Sequence, residues 1–111
     1  MDTLRGLFAD GIVWHDNGSS PLAGEYKGQD EVFGLFGRLM QEMDSFRIEI
    51  HDLLANDTHG VALVQTLAER DGKHAEGNAA QIFHFGADGL VTEFWDFPDP
   101  ASLAAFEALF D

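Results

Sequence analysis

Two periods of apolar residues alternate along this chain. From Gln29 onward, Val32, Leu35, Phe36, Leu39, Met40 and Met43 recur at i, i+3, i+4 and i+7, which predicts an amphipathic helix. Asp30 and Glu31 fall in its first turn, where the helix dipole favours negative charge. The period then drops to two, with Phe46, Ile48 and Ile50 alternating with Arg47, Glu49 and His51. Further strands are predicted over Val61 to Glu69, Ala79 to Phe85 and Leu90 to Phe97. Their short connections, Asp71-Gly72-Lys73 and Ala87-Asp88-Gly89, predict antiparallel hairpins. Ahead of the long helix, Asp2 to Ala9 carries Leu4, Leu7 and Phe8 at helical spacing, and Ile12 to Asp16 reads as a strand. The loop Asn17-Gly18-Ser19-Ser20-Pro21 follows. Asp99 as N-cap and Pro100 at the first helical position open a closing helix that is expected to bury Leu103, Phe106 and Phe110.

The order is helix, strand, helix, meander, helix. It predicts the α+β class: a cone-shaped α+β barrel, a strongly curved antiparallel sheet packed on helices around an apolar pocket. With 111 residues there is room for one domain, residues 1–111, and one core.

Composition and charge narrow the function. Hydrophobic residues make up 45% of the chain, as in an ordinary globular protein. No apolar run approaches the roughly 18 residues of a membrane span, and Met1-Asp2-Thr3-Leu4-Arg5 does not read as a signal peptide. The chain has no cysteine, so thiol chemistry and disulfides are excluded, and a cytoplasmic location is expected. The net charge is −14, and its six cations (Arg5, Lys27, Arg38, Arg47, Arg70, Lys73) are scattered. Nucleic acids and anionic membrane surfaces both want clustered cations, so neither is an expected partner.

Four segments together resemble a known family. They are Leu7-Phe8-Ala9-Asp10, Val13-Trp14-His15-Asp16, Pro21-Leu22-Ala23-Gly24-Glu25-Tyr26-Lys27-Gly28 and Gly89-Leu90-Val91-Thr92-Glu93-Phe94-Trp95-Asp96. Nearly the whole chain from Leu4 is similar to the SnoaL-like branch of the nuclear transport factor 2-like superfamily. That group includes polyketide cyclases, ketosteroid isomerases, limonene epoxide hydrolases and dehydratases. The resemblance implies the fold; activity has to be argued from the site.

Three polar residues interrupt apolar strands. Alternation puts Ile12, Trp14 and Asp16 on one face of their strand, with Val13 and His15 on the other. By its spacing, Asp16 matches the general base of the ketosteroid isomerases, whose tuned carboxylates are among the standard examples of environment-set pKa. An aspartate facing an apolar pocket becomes a usable base near neutral pH, whereas the plain alternative is a cap on the Asn17-Gly18 turn. Asp96 shares a face with Leu90, Thr92 and Phe94, opposite Val91, Glu93, Trp95 and Phe97. Between two aromatic neighbours it is expected to point into the pocket, the alternative being a contact near Pro98-Asp99-Pro100. Gln81 alternates with Phe83 and Phe85 and matches the second acid of the isomerases. It is either an amide donor to an oxyanion or a core amide satisfied by the sheet. His15 is plainly read as a surface or interface residue, yet it is the best titratable partner for Asp16 if the strand twists. Trp14, Phe36, Phe83 and Phe94 are expected to line the cavity.

Departures from the resembled enzymes matter as much. The isomerases' tyrosine has no counterpart, since Tyr26, the only tyrosine, falls in the loop before the long helix. The Arg-x-Asp pair of the epoxide hydrolases falls at Thr66 and Ala68, so epoxide hydrolysis is not expected. His15, His51, His59, His74 and His84 show no metal-ligand spacing, and neither a metal nor any other cofactor is expected. Phosphate-binding loops and serine nucleophile elbows are absent from the sequence.

Trp95, Phe97, Ile82 and Val91 are expected on the outer sheet face, with His84 beside them, and an apolar outer face predicts a homodimer. A short first helix implies an open pocket mouth or a lid completed by a partner chain. Two functions follow: an acid/base isomerase, cyclase or dehydratase for a small apolar carbonyl or polyketide-like compound, and a non-catalytic ligand-binding or structural module.

Overall fold

The computed structural model describes residues 6–16, 18 and 20–111. Its elements are β1 (Phe8–Asp16), β2 (Gly24–Lys27), α1 (Gly28–Glu42), β3 (Ser45–Ala55), β4 (His59–Arg70), β5 (Lys73–Phe85), β6 (Val91–Pro98) and α2 (Pro100–Glu107), with a single 3-10 turn at Ala108–Phe110. The strands form one curved, open sheet in the order β2-β1-β6-β5-β4-β3. It is mixed rather than wholly antiparallel, because β1 runs parallel to β6.

Local chemistry explains the regular elements. Asp30 and Glu31 open α1, and Glu31 reaches back to accept the backbone N–H of Lys27 at 2.9 Å. Val32, Phe33 and Leu35 are its buried residues. Met40 fits the helical stripe yet is 70% exposed. The helix packs mainly on β1 and β2, so a side chain two turns beyond Phe33 extends past their cover. The β4–β5 hairpin turns through Asp71 (φ 51°) and Gly72 (φ 80°), the positive pair that matches strand twist. Asp99 caps α2 by accepting from the Ser102 N–H at 2.8 Å.

Three expectations are corrected. Phe8 and Ala9 are strand, not helix: Phe8 pairs with Val91 and is buried among Ile12, Val32 and Phe33. The sheet and its core outweigh the local spacing of three apolar residues; Gly6 and Leu7 form a turn, and residues 2–5 of the expected helix lie outside the described ones. Tyr26 belongs to a strand rather than a loop, since it pairs with Trp14 across β1 and β2. Val91 faces inward, not outward. A bulge at Thr92, between the pairs Phe85↔Val91 and His84↔Glu93, reverses the alternation so that Val91 and Phe94 are both buried.

The interior divides into two clusters. One gathers Phe8, Ile12, Val32, Phe33 and Val91 between α1 and the sheet; the other gathers Met43, Ala68, Ala75 and Leu109 beneath α2 and the 3-10 turn. Arg70 fastens the second, donating to the Leu109 carbonyl at 2.9 Å and to Glu42 at 3.2 Å. Leu109 takes the deep position, while Leu103, Phe106 and Phe110 are only half-buried. The reason is that α2 borders a cavity.

Candidate active site

The cavity lies between the two clusters and holds about 130 Å³ of free space. Its walls combine Trp14 and Phe36, which pack on the first cluster, with Leu39, Phe46 and Phe106, which pack on the second. Trp14 and Phe94 are neighbours across the parallel β1–β6 pair and stack at 3.6 Å between ring centroids. Phe36 meets Trp14 edge-on at 5.1 Å.

Asp16, Gln81 and Asp96 are all brought to this wall. Gln81 and Asp96 are direct partners across the antiparallel β5–β6 ladder. Burial pushes the Asp16 carboxyl up to about 7, with the nearby charge of Asp96 adding to the shift. Burial raises Asp96 too, but the hydrogen bond from the Gln81 amide opposes it by favouring the ionised form. Both carboxyls are thus held above the usual carboxylate range, and Asp96 alone has an amide donor that favours its ionised form. The turn-cap alternative for Asp16 involves Asn17, which lies outside the described residues. Asp96 lines the cavity, and the cap at Pro98-Asp99-Pro100 is made by Asp99.

Two candidates sit elsewhere. His15 points to the outer sheet face, where its Nε2 is 2.7 Å from Glu93 and its ring stacks on Trp95 at 5.2 Å. The strand does not twist enough to bring it to Asp16. Phe83 packs behind Phe94, with centroids 5.0 Å apart, and supports the wall without lining it. His84 also lies on the outer face, edge-on to Trp95 at 4.6 Å. Among the described residues, no three His, Asp or Glu side chains form a metal-binding group.

Sequence reasoning missed part of the cavity wall. Leu22 lines the cavity and is 2% exposed. Its carbonyl accepts from the Tyr26 hydroxyl at 2.6 Å, and Arg38 donates to the Pro21 carbonyl at 3.2 Å. These two bonds hold the 20–23 loop, and with it Leu22, against the cavity. Burial raises the Tyr26 phenol, Arg38 opposes the rise, and the charge of Asp16 adds to it. Ile48 and Thr66 could have been found, since they are inward partners across β3 and β4. Nothing local marks Leu22.

Comparison with known proteins adds the relatives. The profile of a family described as a SnoaL-like domain matches residues 1–94. The solved structure of Bal32a, from a soil-derived mobile gene cassette, is similar, with a TM-score of 0.91 and 28% identity over 100% of this chain and 84% of that one. A protein of unknown function with a cystatin-like fold from Xanthomonas campestris has a TM-score of 0.87 and 18% identity over 97% and 83% of the two chains. An epoxide hydrolase of M. tuberculosis, described as LEH-like, has a TM-score of 0.75 and 17% identity over 96% and 76%. These last two share the fold alone. No curated protein matches the sequence. Where the epoxide hydrolases were expected to carry their Arg-x-Asp pair, this chain has Thr66 on the cavity wall and Ala68 in the second cluster.

Proposed function

This chain belongs to the SnoaL-like domain family, and we propose that its pocket performs acid–base chemistry on a small, largely apolar carbonyl compound, as an isomerase, cyclase or dehydratase. One observation carries the reading: two desolvated carboxylates, one of them bonded by an amide donor, share one apolar cavity. Pairs of titratable groups held apart in this way are how one site supplies an acid and a base at one pH.

The proposed roles follow from the placement of that donor. Asp96, ionised with the help of the Gln81 amide, takes a proton from the carbon next to the carbonyl. Asp16, still protonated, gives one to the carbonyl oxygen, so the intermediate is a neutral enol. Reversal at a different carbon isomerises the substrate, and protonation of a hydroxyl leaving group would instead dehydrate it. Trp14, Phe36 and Phe94 exclude water and hold the apolar body, which strengthens both proton transfers.

The test is proton–deuteron exchange next to the carbonyl of small cyclic ketones, followed by NMR. Asp16→Asn and Asp96→Asn should each lower the exchange rate at least about tenfold to a hundredfold. Full exchange by both variants would remove the assignment.

A second reading is binding without turnover. It is favoured by the lining itself, which among the described residues contains no cation to hold a developing oxyanion. It expects no exchange by the wild-type protein. In either case we propose a homodimer through the outer sheet face, supported by Phe97 and Leu54, which are 47% and 56% exposed there.

A further inference from the structure

Leu22 is a buried side chain at a position where side chains are ordinarily exposed. It sits in the β-turn Ser20-Pro21-Leu22-Ala23, closed by the Ala23 N–H donating to the Ser20 carbonyl at 3.0 Å. The residues suit that turn. Serine is favoured at its first position and proline at its second, and Ser20 Oγ also accepts the Leu22 N–H at 3.3 Å. Turns run over protein surfaces, and Pro21 is exposed accordingly. Leu22, the next residue, is 2% exposed and lines the cavity.

Two side chains from outside the turn hold it in this place. The Tyr26 hydroxyl donates to the Leu22 carbonyl at 2.6 Å, and Arg38 of α1 donates to the Pro21 carbonyl at 3.2 Å. Tyr26 belongs to a row of rings, because Phe94, Trp14 and Tyr26 are register partners across β6, β1 and β2. Its hydroxyl therefore ties the turn to the strands that put Trp14 and Phe94 on the cavity wall. Gly24, two residues after Leu22, pairs with Asp16, so the turn stands beside the strand end that carries that acid.

We propose that Leu22 sets the size of compound the pocket accepts, one small ring rather than two fused ones, and that Tyr26 and Arg38 are the positioning residues that keep it on the wall.

The dimensions agree. An apolar cavity of about 150 Å³ takes one benzene ring, so 130 Å³ of free space suits a single small ring. Leu22 cannot swing aside to enlarge it without breaking the bonds that its own turn makes to Tyr26 and Arg38. The inference rests on the reading of the cavity as a ligand pocket and adds the size class of the carbonyl compound. It does not depend on which acid takes the proton.

Ligand-observed NMR titration of the full chain with cyclohexanone and the fused ketone 2-decalone tests this directly. By buried apolar area alone, the larger ketone binds more tightly. The wild-type protein should instead bind cyclohexanone at least about tenfold tighter, the scale on which an apolar wall rejects extra carbons. Leu22→Ala should abolish or reverse that ratio, and Leu22→Met, which nearly conserves volume, should keep it. Tyr26→Phe removes only the hydroxyl and should lower the ratio by about threefold or more, the worth of one hydrogen bond, with both ketones still bound. A loss of stability alone would leave the ratio where it is. Leu22→Val replaces Leu22→Ala if circular dichroism shows the alanine variant unfolded.

Wild-type protein that binds 2-decalone as tightly as cyclohexanone, or binds neither, overturns the proposal, and so does an unchanged ratio in the folded Leu22 truncation. An unchanged ratio in Tyr26→Phe overturns its positioning role. Size-ordered binding without proton exchange in either ketone would uphold the proposal and remove the acid–base reading alone.

Discussion

Gln81 and Asp96 stand opposite each other on β5 and β6, and the amide of one donates to the carboxylate of the other. That bond favours the ionised form of Asp96, against the burial that raises it. Replacing Gln81 by Leu should move the two titrations in opposite directions. Asp96 loses its donor and rises, and Asp16, facing a partner that stays neutral longer, falls. Carboxyl carbon-13 NMR titration of wild type and variant reads both, and parallel shifts would contradict the coupling.

The raised acids also set how stability depends on pH. Asp16 moves from an unfolded value of 3.8 to about 7, so the folded state binds its proton more tightly. Its contribution is fully present below about pH 4, is lost as pH rises through 7, and is flat above. Over three units or so, this amounts to at most about 4 kcal/mol. Asp16→Asn should therefore raise the unfolding free energy at pH 8 and flatten its slope between pH 4 and 7, as measured by urea denaturation. Asp99 acts the other way, because its bonds to Ser102 lower its pKa; that contribution fades as pH falls through the folded value.

Close approach of α2 to β5 depends on Gly77. A Cβ there would lie 2.7 Å from the Ser102 Cβ, and Ser102 Oγ accepts the Asn78 N–H at 2.9 Å. Gly77→Ala should cost about 1–3 kcal/mol by overpacking. Ser102→Gly in the same chain should recover part of it, a coupling that a double-mutant cycle measures. Strict additivity would mean that the two sites do not press on one another.

Self-association is tested at Phe97, which lies with Leu63 and Ala80 along a shallow groove on the outer face. Sedimentation should give twice the chain mass at micromolar concentration, and Phe97→Glu should return it to the single mass. A wild-type protein that sediments as one chain rules the dimer out.

Local order was encoded locally. The helical period of Val32 to Met43, the Asp71-Gly72 turn and the Asp99-Pro100 start of α2 all depend on contacts within about four residues, and each lies where its pattern predicts. Alternation along single strands likewise placed Trp14 with Asp16, and Phe94 with Asp96, because the pleat has a strict period of two. That much of the site could be read from the residues, including its acids and its amide.

What brings them together is not local. The parallel seam between β1 and β6 joins the first strand to the last, and only competition among all the strands for partners decides it. The Thr92 bulge turned Val91 inward because the core had space for it there, a fact that no pattern within β6 records. His15 was carried away from Asp16 by the same pleat that aligned Asp16 with Trp14. The cavity itself exists because two clusters, rather than one, fill the interior and leave a gap between them. Residue chemistry along the chain supplied two acids, an amide and aromatic walls; the packing of distant elements decided that they face one another, out of water, and with no cation on the wall between them among the described residues.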